Sequence, residues 1–359
     1  MTPAHRFKPE SETMDFQQNP NVRPQTVAIV GATGAVGVEL LGCLEQRNFP
    51  VGSLRLLASP RSAGKTMQFR GQPVTIEATT RQAFEGVDVA LFAAGATVSR
   101  EFVPVALGAG ARVVDNSSAF RMHGDIPLVV PEVNGDLLGK GGPLVANPNC
   151  VAAIAVMALQ PLHALSPIQR LVGSTYQAAS GAGAAAMEEL ELSTAAYLAG
   201  EAYAPKVLPH PYAFNLFSHN AEVEADSGYN GEELKAMEEI RKIMRTPDLP
   251  ASFTCVRVPV LRAHSMALTV TFDRVVSVAE AVEALSAAPG VRVVNDAAAN
   301  HYPMPNEASG QGDVLVGRVR RDLSDPSGRT LSVFVAGDQL LKGAALNAVQ
   351  IAEAMLVGA

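Results

Sequence analysis

TVAIV (Thr26–Val30) followed directly by GATGAVG (Gly31–Gly37) is the stretch that decides the fold, and Val38–Asn48 continues it as a helix. Gly31, Gly34 and Gly37 form a G-x-x-G-x-x-G turn between an apolar strand and that helix. Glycines there let the backbone turn tightly and approach a pyrophosphate, while the first N–H groups of the helix face the anion. A glycine triplet by itself is weak evidence. The order strand, loop, helix favours a dinucleotide site over a tight turn in an arbitrary α/β protein. Gly31, Thr33, Gly34, Ala35, Val36 and Gly37 are therefore candidate cofactor contacts.

Outward from this motif, strands are predicted at Ser53–Ser59, Val74–Ala78, Val87–Gly95 and Arg112–Ser118, with a helix near Val98–Gly110. Strands alternating with helices imply a parallel sheet. The second strand runs into LASPRSAGK (Leu57–Lys65) with no acid at its end, where an NAD site usually holds one for the ribose hydroxyls. Ser59, Arg61 and Ser62 instead offer donors and a fixed positive charge, which suits the 2′-phosphate of NADP.

After Cys150 the pattern changes. Val151–Leu165 reads as an apolar helix, ended or kinked near Pro161. Ile168–Ser180 is a strand candidate, and Ala182–Leu198 a helix with Glu188, Glu189 and Glu191 on its exposed side. His210–Asn230 reads as loop and Glu232–Met244 as an amphipathic helix. Phe253–Asp273 reads as one long alternating strand. The helix Val278–Ala287 and strands at Val291–Asn295, Asp313–Arg321 and Thr330–Ala336 follow. The fold class expected is α/β: a Rossmann-type dinucleotide-binding domain at 25–150, and an α+β catalytic and dimerisation domain with a mixed sheet at 151–336. Residues 337–359, with a helix at Gly343–Leu356, return to the first domain. Residues 1–24 are expected to form a flexible extension.

The chain's 359 residues suffice for two domains, and a net charge of −7 argues against a general nucleic-acid binder, which needs a basic face. Three scattered cysteines make no disulfide framework. No apolar run reaches the length of a membrane span. The first residues lack a signal-peptide core, and Glu10, Glu12 and Asp15 disfavour a transit peptide. A cytoplasmic enzyme is expected, with no membrane, nucleic-acid or metal partner.

ANPNC (Ala146–Cys150) lies between a strand at Pro143–Ala146 and the apolar helix. Cys150 thus stands at a helix N-terminus, where the dipole and free N–H groups stabilise a thiolate and could hold an oxyanion. Cys43 within a helix and Cys255 within a strand read as small buried hydrophobes. A nucleophilic cysteine needs a base. Of seven histidines, His264 lies in a run dense in function-capable residues, but from the residues alone a surface or packed histidine is the favoured reading.

GATGAVG, LASPRSAGK, DNSSAFRM, VPEVN, ANPNC, STYQAASGAG, VRVPVLRAHS and KGAALNAVQIAE occur in this order. Together they resemble the aspartate-semialdehyde dehydrogenase family from about Thr26 to the C-terminus. The resemblance implies Cys150 as nucleophile, His264 as acid/base, and Gln177 positioning the substrate beside the nucleophile. It implies Arg257 on the α-carboxylate, Glu239 on the α-amino group, and Lys242, Arg121 and Asn149 at the phosphate. Ser180, Gly181, Gly183 and Gln350 match positions near the nicotinamide. These pairings make chemical sense: a carboxylate suits a planar bidentate cation and phosphate several fixed donors. For Glu239 and Lys242 a plain i,i+3 ion pair is a substantial rival reading.

The implied reaction is the reversible, NADP-dependent conversion of L-aspartyl 4-phosphate to L-aspartate 4-semialdehyde with release of phosphate, by a homodimer. It belongs to the biosynthesis of lysine, threonine, methionine and diaminopimelate. Leu341 stands where the family commonly shows Arg, and Ala93 where Ser is common. The rivals are an N-acetyl-glutamyl-phosphate reductase, which needs no Arg/Glu pair for a free amino acid, and a non-catalytic NADP-binding homologue.

Overall fold

The computed structural model describes residues 22–139 and 142–357, so the expected extension at 1–24 lies outside the described residues but for its last three. The described chain divides into two compact units. One runs to Asn149 and resumes at Ala344; the other is Cys150–Gly343.

The first unit starts with β1 (Gln25–Val30), α1 (Ala35–Gln46) and β2 (Val51–Ala58). β3 (Thr66–Phe69), β4 (Gln72–Ala78), β5 (Val89–Phe92), α2 (Ala96–Gly108), β6 (Arg112–Asp115), α3 (Pro131–Asn134) and β7 (Leu144–Ala146) follow. The sheet order is β3-β4-β2-β1-β5-β6-β7. Its pairings are parallel except for the hairpin β3–β4, a strand not foreseen from the sequence. The chain leaves β1 toward β2 on one side and returns to β5 on the other. The crevice at the carboxyl end of β1 is therefore the topological switch point where such folds bind ligands. β1 from Val27 onward and β5 are apolar and buried at every position, as parallel strands buried on both faces require.

The second unit contains α4 (Cys150–Leu165), β8 (Ile168–Gln177), α5 (Ala184–Ala199), β9 (Phe217–Ser218), α6 (Gly231–Met244), β10 (Ala251–Arg257) and β11 (His264–Phe272). α7 (Val278–Ser286), β12 (Val291–Val293), α8 (Pro305–Ala308), β13 (Val314–Arg321) and β14 (Thr330–Gly337) complete it. Its sheet is mixed, in the order β12-β13-β14-β11-β8-β10-β9. β10 runs parallel to β8, and β11 antiparallel to both β8 and β14. α4 is almost wholly buried, as its apolar sequence demands, and Pro161 lies inside it without ending it. It packs on β14 at Gly337, where a Cβ would come 2.9 Å from Ile154 Cγ2.

Two expectations are corrected. Phe253–Asp273 is two strands, because 258–263 folds away around Pro259, a residue that cannot donate to a ladder. Glu189 is buried rather than exposed: its carboxylate accepts the backbone N–H groups of Lys206, Val207 and Leu208 at 2.5–2.9 Å. Unpaired burial of that charge would be costly, and these three bonds satisfy it.

A π-helical turn, Leu341–Ala345, leads into α9 (Leu346–Val357), which lies in the first unit. There α9 packs on α1, joined by a buried bidentate pair of Arg47 and Glu353 (2.7 and 2.8 Å). Among the described residues no helix is long and apolar enough to cross a membrane.

Candidate active site

In the first unit the glycine loop is built for close backbone approach. Gly31 has φ +86°, and a Cβ there would stand 2.7 Å from the Ala93 carbonyl oxygen. A Cβ on Gly37 would run into the Gly31 carbonyl, so α1 starts flush against the loop. Thr33 and Gly34 are exposed, and Ala35 and Val36 half-buried. The α1 N-terminus is capped by no side chain, and its first turn has no acid. Gly31 and Ala32 both donate to the Leu57 carbonyl (2.8 and 3.2 Å), tying the loop to the end of β2. Just beyond stand exposed Ser59 and Arg61 and half-buried Ser62. Helix-end N–H groups, glycines at the points of closest backbone approach and an exposed Arg61 fit a dinucleotide phosphate.

Arg121, Asn149 and Gln350 are all nearly buried in this unit. Arg121 donates to the carbonyls of Asn147 (2.9 Å) and Asn116 (2.6 Å), which fix its guanidinium. Gln350 donates to Glu132 at 2.9 Å.

In the second unit, strand direction gathers the remaining candidates. Parallel β8 and β10 end together, with Gln177 paired opposite Arg257. Antiparallel β11 begins at that same end with His264, opposite Gly337. Cys150, half-buried, is the first residue of α4, one turn before the Ile154 that packs on Gly337. A Cβ on Gly343 would stand 2.9 Å from the Cys150 Cβ, so glycine is required beside the thiol-bearing residue. Cys43 and Cys255 are buried, and burial pushes the Cys255 thiol up to about 12.

His264 is fully buried. Its Nδ1 accepts the Ala178 N–H at 3.0 Å, so in the neutral ring Nε2 carries the proton. That Nε2 has no partner among the described residues. Burial, then the Arg257 and His219 charges, hold its pKa well below the usual histidine value. Arg257 is also buried, and its bonds to Asn220 Oδ1 and the Ala178 carbonyl are both long, at 3.4 Å. Arg257 Nη1 and His264 Nε2 lie 3.2 and 2.9 Å from the point where a Cβ on Gly181 would stand. Gly181 thus packs directly against a buried cation and a buried donor, leaving no room for a side chain there. An anion within reach of both side chains would relieve both.

Side chains that sequence reasoning missed hold this arrangement. Gln339 accepts from the Ala263 N–H at 2.9 Å and donates to the Ser180 hydroxyl. It thereby fixes both the Ser180–Gly183 turn and Ala263, a non-glycine residue at φ +71° directly before His264. Glu232, in the first turn of α6, accepts from Gln177 Nε2 at 3.2 Å. An acid in the first turn of α6 was the available signal for Glu232; Gln339 left none. Glu239 is buried and Lys242 half-buried on α6; burial lowers the Lys242 pKa and the Glu239 charge opposes that shift.

Comparison with known proteins follows the same division of the chain. Residues 26–140 match the semialdehyde dehydrogenase NAD binding domain, and residues 159–342 the semialdehyde dehydrogenase dimerisation domain. The chain is 50% identical over 333 residues to the aspartate-semialdehyde dehydrogenase of Synechocystis sp., covering 93% of this chain and 98% of that protein. It is 47% identical over 337 residues to that of Aquifex aeolicus, covering 92% and 97%. Its fold is similar to that of aspartate semialdehyde dehydrogenase II from Vibrio cholerae complexed with ASA. The TM-score is 0.89 and the identity 39%, over 93% of this chain and 99% of that one.

Proposed function

The chain belongs to the aspartate-semialdehyde dehydrogenase family, and we propose that it converts L-aspartyl 4-phosphate to L-aspartate 4-semialdehyde reversibly, with NADP, through a thioester on Cys150. The observation carrying the active-site reading is the sheet end where, among the described residues, the His264 Nε2–H has no partner and the buried Arg257 beside it makes only long bonds to neutral oxygens. A free amino acid offers Arg257 its α-carboxylate. An N-acetylated substrate would leave a carboxylate partner for the ammonium without use.

In the oxidative direction the Cys150 thiolate attacks the aldehyde carbon, forming the C–S bond and turning the carbonyl oxygen into an oxyanion. His264 donates a hydrogen bond from Nε2 to that oxygen, where charge develops. The nicotinamide, when bound, exchanges hydride with the carbon that Cys150 holds. Loss of hydride reforms the C=O bond as a thioester. A phosphate oxygen attacks it, the C–S bond breaks, and the Cys150 thiolate leaves. Expulsion from the oxyanion needs no further proton acceptor, which agrees with a histidine whose Nδ1 is already engaged. The acid half of the acid/base role implied for His264 fits this tautomer; the base half requires the Ala178 N–H to move away.

Arg61, flanked by Ser59 and Ser62 with no acid at the end of β2, supports NADP over NAD. Arg121, Asn149 and Lys242 retain their reading as phosphate ligands. Exposed Leu192, Tyr197 and Leu198 on α5, with Phe214 and Leu216 on the following loop, offer an apolar face for a homodimer.

The test is a burst. With semialdehyde and NADP but no phosphate, NADPH should form to at most about one per active site and then slow, as acyl-enzyme accumulation requires. Phosphate should restore turnover, and Cys150→Ala should abolish both phases. Full-speed NADPH formation without phosphate would mean a hydrolytic aldehyde dehydrogenase.

A further inference from the structure

Tyr212 lies in the loop between α5 and β9. Its side chain is 1% exposed, and its hydroxyl has no hydrogen-bond partner among the described residues. Buried phenols usually find a partner, and leaving one without costs free energy. Nothing in the packing forces that cost. The ring belongs to a small apolar cluster with Ala179, Ala186, Leu190 and Leu208, and it meets Phe217 edge-on with centroids 5.6 Å apart. Phenylalanine would fill the same place.

Position gives the hydroxyl a use. Phe217 pairs directly with Arg257 across β9–β10, so the ring packs on the strand neighbour of that arginine. Ala179 belongs to the turn that carries Gly181. Burial pushes the Tyr212 pKa up to about 12, while the Arg257 charge pulls it the other way. Tyr212 therefore stays a protonated donor at every working pH. Arg257 is itself a buried cation with two long bonds to neutral oxygens. Two underused donors, one charged and one neutral, thus both pack around Phe217 and the turn that carries Gly181.

We propose that the Tyr212 hydroxyl is a second ligand of the substrate's α-carboxylate, donating to one of its oxygens beside Arg257. The inference rests on the reading of Arg257 as the carboxylate ligand. It makes Tyr212 a binding residue, remote from the carbon that reacts. Because the contact is the same in ground and transition states, it acts on KM and leaves kcat nearly unchanged.

The test is Tyr212→Phe, which removes one oxygen and keeps the ring. Binding is measured by calorimetry with L-2-aminobutyrate, which carries the α-carboxylate and ammonium of the substrate and no aldehyde. The variant should bind about 10- to 100-fold more weakly, the loss expected for a hydrogen bond to a charged group. KM for the semialdehyde should rise in step, at nearly constant kcat. The thermal midpoint should stay level or rise, since the variant sheds an unsatisfied buried hydroxyl. Equal affinity in the two proteins overturns the proposal, and so does failure of the unmutated enzyme to bind the analogue. Weaker binding with a clearly lower midpoint would place the hydroxyl in the fold's own bonding and also overturn it. Turnover of the semialdehyde by the unmutated enzyme separately scores the proposed reaction, so the two readings fail independently.

Discussion

Gly181→Ala adds one methyl group at the spot that Arg257 and His264 border. The new Cβ would stand 2.9 Å from His264 Cε1 and Nε2 and 3.2 Å from Arg257 Nη1. Relaxed contacts between such atoms are about 3.5–4.0 Å. The imidazole, the guanidinium or both must therefore retreat by roughly 0.5–1 Å, and the imidazole is pinned from behind by the Ala178 N–H. A misplacement of about 1 Å in a catalytic group costs on the order of 10²-fold in rate. We expect kcat/KM for the semialdehyde to fall by about that factor. The stability cost should be small. Overpacking typically costs about 1–3 kcal/mol, and Gly→Ala returns about 0.4–1 kcal/mol where the backbone accepts it, as the φ here does. NADPH affinity, from the change in its fluorescence on binding, gauges whether the turn also serves the cofactor. Steady-state NADPH absorbance measures the loss. A variant that keeps kcat/KM within about twofold would refute the crowding argument, because Arg257 and His264 would then not need that space.

Two further outcomes are expected. Arg61→Ala should weaken NADP binding far more than NAD binding, by roughly 1.5–3 kcal/mol for a charged hydrogen-bond partner of the 2′-phosphate; equal use of NAD and NADP by the unmutated enzyme would refute the assignment. Acid should destabilise the fold: burial, first of all, holds His264 well below the usual value and lowers His219 to about 4. Both take up protons near pH 6.5 only when unfolded, so stability falls as pH drops below about 6.5, by up to about 1.4 kcal/mol per pH unit for each, with the His219 share levelling off near its folded value. Denaturant titrations at pH 8 to 5 measure this, and a flat profile would count against buried neutral histidines.

What could be read from the sequence was what neighbouring residues decide. The strand, loop and helix at Thr26–Asn48 are contiguous, and their glycines announce the turn they make. Cys150 at a helix start was legible for the same reason, as was the mixed character of the second sheet. The 258–263 loop was not, because Val258, Val260 and Leu261 keep up the apolar pattern and only Pro259 breaks it. Glu189 was misjudged because a helix face does not reveal that a later segment will bring three N–H groups to it. Gln177, Arg257 and His264 could be gathered from the sequence only by resemblance. Their meeting at one sheet end depends on which strands run parallel. Gln339 and Tyr212 owe their interest wholly to tertiary neighbours.

The bonds framing His264 join residues far apart in the chain: Ala178 is 86 positions away, Gln339 reaches back 76 to Ala263, and Ser180 and Gln339 are 159 apart. Closing such loops is entropically slow, and folding rates fall as native pairings become less local. During refolding the end of this sheet that carries Gln177, Arg257 and His264 should thus be among the last regions to form. Recovery of activity then works as a clock for completion of the central strands, lagging behind the far-ultraviolet signal of helices such as α4. A cell making this protein carries an interval in which the thiol of Cys150 exists before His264 has been set in place.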